Sequence, residues 1–129
     1  MEILEDGSRV VIFVGKDILA DNVVVCASRN SRRAGLTGRS AIKANEGILM
    51  VMPVGRGKFG WQSAIHMFHM RFTIVAIWLD ENCKVVDLIE VRPGRIYGPP
   101  LPAKYILEAH PDLLGRVVVG DVVRWQKSV

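Results

Sequence analysis

Residues 65–80, IHMFHMRFTIVAIWLD, form the densest apolar run in the chain, and the rest of the sequence is organised around them. In an extended strand, successive side chains point to opposite faces. The face that we expect to lie in the core carries His66, Phe68, Met70, Phe72, Ile74, Ala76 and Trp78. The stretch therefore predicts a buried strand at the centre of a β-rich domain.

The opposite face of this stretch is polar in its middle, where His69, Arg71 and Thr73 occupy alternate positions. The stretch is also longer than the usual strand of about 3 to 10 residues. We therefore expect a bend, a bulge or a change of sheet near residues 71–73, which would aim polar side chains into a cleft.

Short segments rich in β-branched residues flank this run and are separated by turn residues. The predicted strands are Arg9–Val14, Ile18–Leu19 leading into Val23–Ala27, Ile48–Met52, Lys84–Val91, and a closing hairpin of Val117–Val119 and Val122–Trp125. Residues 103–109 fit both a helix face and a strand face, and we favour the strand. The pattern predicts one mainly β domain over residues 1–129, a compact antiparallel β-sandwich or barrel.

One or two short helical turns are expected outside the strands. Residues 28–40 offer Ser28 as an N-cap and two glycines as terminators. Residues 111–115 begin with a proline and end with a glycine, which is typical of a single turn. Residues 92–102 contain four prolines, so we expect no regular structure there.

Composition excludes several classes of protein. No apolar run approaches the roughly 20 residues of a membrane-spanning helix, and the acidic start MEILEDG is unlike a signal peptide. We therefore expect a cytoplasmic protein with no membrane partner. Cys26 and Cys83 have neither redox nor zinc-site spacing, which favours free buried thiols, although spacing alone does not exclude a disulfide.

Several short motifs follow one another along the chain. They are Arg33-Ala34-Gly35-Leu36-Thr37-Gly38-Arg39, Gly47-Ile48-Leu49-Met50, residues 65–72, Leu79-Asp80, Pro102 to Glu108 and Val119-Gly120-Asp121. In this order they resemble the domain-of-unknown-function 192 family of small bacterial and archaeal proteins, and the resemblance runs from about Val23 to Trp125. The resemblance implies a compact mainly β domain and no established activity. Where the family has Pro followed by Ile-Asp, this chain has Thr73-Ile74-Val75, which argues against a carboxylate mechanism shared at that position.

Positive charge is concentrated in one third of the chain. Residues 28–71 carry eight Arg or Lys side chains against the single acid Glu46, a net charge of +7, whereas the whole chain carries +4. Such a segment attracts anionic ligands or nucleic acid, although a solvated loop surface has the same composition.

We expect an anion-accepting cleft built from the helical turn at Arg32–Arg39, the glycine-rich loop at residues 55–60 and the polar positions His69 and Arg71. Guanidinium groups match carboxylate or phosphate oxygens, and a helix N-terminus adds free amides. The predicted ligand-binding residues are Arg33, Arg39, His69, Arg71 and Glu108. Arg56 and Lys58 would steer the anion toward the cleft.

Three alternatives remain open. A nucleic-acid-binding module would use the arginines of residues 29–39 with Phe59 and Trp61 as stacking platforms, but aromatics are few there and we do not favour it. A protein-interaction module would present the same basic segment to an acidic partner. A hydrolase-like enzyme would pair a histidine with Glu108 for acid–base catalysis, and the sequence favours binding over catalysis.

No cofactor or metal is indicated. His66, Met67, His69 and Met70 are soft-metal ligand types. On a strand, however, His66 and Met70 face one side while Met67 and His69 face the other, so the four cannot meet at one ion. The sequence leaves the identity of the ligand and the oligomeric state open.

Overall fold

The computed structural model describes residues 4–53, 65–67, 70–97 and 103–128. The prediction of a mainly β domain is confirmed, because a curled seven-stranded sheet forms a half-barrel. The strands are β1 (Arg9–Val14), β2 (Asp17–Cys26), β3 (Glu46–Val51), β4 (Ile65–His66), β5 (Ile74–Leu79), β6 (Val85–Val91), β7 (Ile96–Tyr97), β8 (Tyr105–Ala109) and β9 (Val123–Lys127). The helices are α1 (Arg29–Ala34) and a 3-10 turn at Pro111–Leu113.

The large sheet has the strand order β6-β5-β8-β3-β2-β1-β9. Its neighbouring strands are antiparallel except β2 and β3, which are parallel and are connected through α1. The sheet is therefore mixed rather than purely antiparallel. Parallel neighbours cannot be joined by a tight turn, because the chain must cross from one end of the sheet to the other. That crossing carries α1 over one face of the sheet.

The stretch at residues 65–80 changes sheet, as the sequence predicts. β4 at its start pairs with β7, whereas β5 lies inside the large sheet between β6 and β8. All six residues of β5 are buried, so both of its faces lie in core. Phe72, expected in the core, is only partly buried because it precedes β5 in the bend between the two sheets.

Two predictions about strands were wrong. The proline-rich segment 92–102 contains β7, because Ile96 and Tyr97 lie between the prolines and keep the amides that a strand needs. Residues 117–119 form no strand, and the predicted closing hairpin does not exist. Val118 and Val119 are each 59% exposed, and β9 pairs instead with β1 at the far end of the chain.

The two edge strands of the sheet are joined at one end. The amide of Val85 at the start of β6 donates to the carbonyl of Asp121, and the amide of Val123 in β9 donates to the carbonyl of Cys83. These bonds bring the edges of the curled sheet together without a continuous ladder, which explains the half-barrel shape. Cys26 and Cys83 are buried and form no disulfide with each other, as expected.

The sequence leaves open whether residues 103–109 form a helix or a strand, and their pairing in the sheet shows that residues 105–109 form a strand. β8 lies between β3 and β5 and bonds to both, so its backbone groups are used on each side. Alternate residues of β8 then face the two sides of the sheet, with Leu107 in one core and Ile106 in the other. Glu108 shares the side of Ile106, and this is the side over which α1 crosses.

Candidate functional site

A cavity of about 210 Å³ lies between this side of the sheet and the segment that contains α1. Its sheet wall comes from β3 and β8, and its cover comes from the last turn of α1, the residues just after it and the segment that precedes β5. The lining residues are Arg32, Arg33, Ala34, Gly35, Leu36, Thr37, Met50, Met52, Met67, Met70, Ile106 and Glu108. The arrangement places two guanidinium groups, one hydroxyl and one carboxyl among eight apolar residues.

The N-terminus of α1 is capped by the protein's own side chains. Ser28 and Ser31 form a capping box, in which the Ser28 hydroxyl accepts from the Ser31 amide. Asp6 Oδ1 then accepts from the amides of Ala27 and Ser28 and from the Ser31 hydroxyl. These bonds lower the pKa of Asp6 to about 2, and the bond from the Ser31 hydroxyl has the largest effect.

Our expectation that this helix N-terminus offers free amides to a ligand was therefore wrong. An internal carboxylate already occupies the position where an external anion would bind. It is the opposite end of α1 that borders the cavity, so any anion must be held by side chains.

Arg32 fixes α1 to the sheet. One of its guanidinium nitrogens, Nη1, donates to the carbonyl of Ala27 at 2.5 Å and to the carbonyl of Val51 at 3.2 Å. Gly35, which follows the last residue of the helix, lies against Ile48: a Cβ on Gly35 would be 3.5 Å from Ile48 Cδ1. Two residues of β3, Val51 and Ile48, therefore fix the position of the helix. The helix thus runs from the Val51 end of β3 toward the Ile48 end.

Among the described residues that line the cavity, Glu108 is the only one with an acidic side chain. It is 5% exposed and pairs across the sheet with Ile48 in β3 and Ala76 in β5. In the part of the chain that the structure describes, no hydrogen bond or ion pair reaches its carboxyl group. Burial raises the pKa of Glu108 to about 7. A buried carboxyl without a partner is costly when ionised, so the neutral acid is populated near neutral pH.

Four methionines line the cavity: Met50, Met52, Met67 and Met70. The chain has five methionines, and the other is Met1, so every internal methionine borders this one space. Met50 and Met67 are buried, and Met52 and Met70 are half-buried. The unbranched thioether side chain adapts its shape to what it contacts, and methionine is common on surfaces that accept varied apolar ligands.

The five predicted site residues separate in the structure. Arg33 and Glu108, which come from α1 and β8, lie on the lining of the same cavity. Arg39 is not on the lining and forms an ion pair with Glu46 at 3.1 Å. Arg71 is exposed and also lies off the lining. His69 lies outside the described residues, as does the glycine-rich loop at residues 55–60.

Sequence reasoning missed the role of Arg32 and the cluster of methionines. The spacing of Met50 and Met52 was a usable signal, because residues two apart on a strand share a face. Arg32 had no such signal, since its partners are backbone carbonyls that no side-chain pattern reveals.

Nucleophilic and metal chemistry find little support here. The pKa of the Cys26 thiol is raised to about 11, mainly by burial and to a smaller extent by the charges of Asp6 and Glu108. This thiol therefore stays protonated and unreactive at neutral pH. Among the described residues, no group of three or more His, Cys, Asp or Glu side chains could hold a metal ion. The methionine thioethers suit only soft ions such as Cu(I), and two guanidinium groups on the same lining disfavour any cation.

No helix in the described ranges is long and apolar enough to cross a membrane. Of the basic side chains of residues 28–71, Arg32 and Arg33 lie at the cavity and Arg39 is paired with Glu46.

Comparison with solved structures shows the same fold in two bacterial proteins. One, from Sinorhizobium meliloti, is titled a putative transcription regulator. It is 17% identical with a TM-score of 0.76, and the match covers 97% of this chain and 98% of that one. The other, from Novosphingobium aromaticivorans, has unknown function. It is 16% identical with a TM-score of 0.72, over 91% of this chain and 84% of that one.

Sequence comparison identifies closer relatives in archaea. A UPF0127 protein of Pyrococcus abyssi is 32% identical over 127 residues, which cover 97% of this chain and 98% of that protein. A UPF0127 protein of Pyrococcus furiosus is 38% identical over 69 residues, which cover 52% of this chain and 60% of that protein. The profile of DUF192, described as "Uncharacterized ACR, COG1430", matches residues 10–125. The chain therefore belongs to the DUF192 family, as its motifs indicate.

Proposed function

We propose that this protein binds a small anionic ligand in the cavity between α1 and the sheet, with Arg33 and Glu108 as the polar contacts. The observation that carries the proposal is the position of Glu108, a buried carboxyl on the cavity lining with no partner among the described residues. A carboxyl that is enclosed by the domain but opens onto a cavity can pair with a bound ligand.

The guanidinium of Arg33 supplies the charge that an anion needs. Its neighbour Arg32 is committed to two backbone carbonyls, whereas Arg33 is exposed and has no ion pair or hydrogen bond with any residue that the structure describes. A free guanidinium fork can hold a carboxylate or phosphate group through two parallel hydrogen bonds. Arg33 can therefore give an entering anion both its charge and its orientation.

Glu108 complements Arg33 only while it is protonated. The neutral acid donates a hydrogen bond to an anionic oxygen, whereas the carboxylate would repel it. The charged or titratable groups that face it are Arg32 and Arg33 from α1 and Cys26 from β2, with Asp6 beyond Cys26. β3 and β5 present only apolar side chains here, Ile48, Met50 and Ala76. The affinity for an anion should therefore fall as pH rises through about 7.

A thermal-shift titration with sodium acetate and sodium phosphate, against sodium chloride at equal ionic strength, tests the proposal. A ligand that binds only the folded state raises the midpoint of unfolding. Arg33→Ala should abolish the anion-specific rise. Arg29→Ala is the matched control, since Arg29 is exposed on the same helix and lies off the lining. If both variants lose the anion-specific rise equally, the rise comes from general charge screening and the site is rejected.

The pH dependence provides a second and independent test. Binding to the native protein should weaken between pH 6 and 8, and Glu108→Gln should bind with little change over that range, because an amide donates a hydrogen bond at every pH. If the variant keeps the full pH dependence of the native protein, Glu108 has no part in binding.

A further inference from the structure

β3 and β8 build a straight wall along the cavity. Glu108 lies beside Ile48, Ile106 lies beside Met50, and the amide of Met52 donates to the carbonyl of Lys104 at 2.9 Å. Each step of two residues advances about 6.6 to 6.8 Å along a strand. The carboxyl group of Glu108 and the thioether of Met52 therefore mark the two ends of a wall roughly 13 Å long, with Met50 and Ile106 between them.

The opposite side of the cavity combines apolar and polar side chains. Leu36 and Met67 are buried there, and Met70 is half-buried. Polar lining groups are few: apart from Glu108 they are Arg32, Arg33 and Thr37. A compact inorganic anion would contact the guanidinium and leave most of this apolar wall against water. The volume of about 210 Å³ is more than ten times the roughly 10 to 15 Å³ that a cavity needs to hold one water molecule, so there is room for a ligand larger than a compact anion.

We infer that the anion carried by this cavity is a monocarboxylate with an unbranched alkyl chain of about six to eight carbons, whose chain lies along the methionine wall. This inference rests on the proposed function and specifies its ligand class. The carboxylate meets Arg33 and Glu108, and the chain packs against Met50, Met52 and the methionines of the cover. Flexible thioether side chains fit a flexible chain, whereas a rigid bulky ring would require a preformed shape.

A chain-length series separates this inference from the proposed function. Acetate, butanoate, hexanoate and octanoate are titrated at pH 6 and below micellar concentrations, with hexanol as the uncharged probe. Affinity should rise about fourfold for each CH₂ group that becomes buried, so hexanoate should bind roughly 15-fold more tightly than butanoate. Hexanol should bind far more weakly than hexanoate, because it lacks the carboxylate that Arg33 holds.

The methionine methyl groups report where the chain lies. In protein labelled with ¹³C at the methionine methyl carbon, octanoate should shift the signals of Met50, Met52, Met67 and Met70, assigned by single Met→Leu variants. Met52→Ser should reduce the affinity for octanoate several-fold and leave that for butanoate unchanged, because Met52 stands at the far end of the wall.

Each adverse outcome has a distinct meaning. If acetate and octanoate bind equally well and binding depends on Arg33, the proposed function stands and the alkyl chain is rejected. If octanoate binds without shifting the internal methionine methyl groups, the chain lies elsewhere and the inference fails. If no carboxylate binds but phosphate does, the inference fails and the proposed function stands. If hexanol binds as tightly as hexanoate, or neither carboxylates nor phosphate bind, the proposed function fails together with the inference.

Discussion

Gly47 of β3 lies against the backbone of Glu108 in β8, so close that a Cβ on Gly47 would stand 2.7 Å from the Glu108 carbonyl oxygen. No Cβ atom is tolerated at that distance from a rigid backbone group. The glycine therefore sets the approach of the two strands that form the sheet wall of the cavity, and with it the depth at which the Glu108 side chain is buried.

Replacement of Gly47 by alanine should push β3 and β8 apart and destabilise the fold by about 1 to 3 kcal/mol, the usual cost of overpacking. Urea denaturation measures the effect. The expected variant is folded but has a lower unfolding midpoint. A midpoint equal to that of the native protein would show that the strands adjust freely, and that Gly47 does not fix the position of Glu108.

Glu108 should make stability depend on pH. Burial raises the pKa of its carboxyl from 4.5 to about 7, so the folded state holds a proton that the unfolded chain releases. The contribution of this group is fully favourable below pH 4.5 and is lost as pH rises through about 7. A shift of this size corresponds to about 3 kcal/mol.

The variant Glu108→Gln removes that titration. Relative to the native protein, the variant should gain up to about 2.5 kcal/mol of unfolding free energy between pH 5 and pH 8. Urea unfolding at the two pH values measures it. A difference that is the same at both values would mean that the carboxyl is ionised in the folded protein throughout.

Arg32 and Arg33 are adjacent, yet they should respond differently to replacement by alanine. Arg32→Ala removes two hydrogen bonds from a charged donor that hold α1 on the ends of β2 and β3, and should cost about 1.5 to 3 kcal/mol. Arg33→Ala removes no such bond and should change stability by less than about 0.5 kcal/mol. Chemical denaturation of the two variants provides the comparison, and equal losses would contradict the assigned roles.

Asp6 should hold the first turn of α1. Asp6→Asn keeps the shape of the side chain but removes the charge that three donors share, so the amide of Ser31 should exchange faster with solvent. Because the pKa of Asp6 is lowered to about 2 in the folded state, the same loosening should occur in the native protein as pH falls from 3.8 through about 2. Asp17→Asn, at the exposed start of β2, is the control and should leave Ser31 unchanged.

The strands were largely predictable because local sequence determines them. The β-branched runs of Arg9–Val14 and Ile74–Leu79 form strands at or near the expected residues, and the length of the run at 65–80 predicts its change of sheet. The closing hairpin failed for a reason that local sequence does not contain. Val123–Lys127 pairs with β1, and the curl of the whole sheet selects that partner.

The site was predictable only in part. The excess of positive charge pointed to Arg33, but Arg39 has the same local character and forms an ion pair elsewhere. Glu108 lies on a strand whose two faces are both buried, and glutamate is rarely buried. Its burial depends on the cover provided by α1 and Met67, which come from distant parts of the chain, so no local pattern could predict it.

The position of β1 between β2 and β9 has a consequence for the order of folding. Val10 pairs with Val23 in a local hairpin, but it also pairs with Lys127, and Cys83 bonds to Val123 where the sheet edges meet. The local hairpin can form early, whereas the other two contacts require long loops to close. We therefore expect the contacts between the two sheet edges to form last. Until β9 docks, β1 is an open edge strand that can pair with other chains and aggregate.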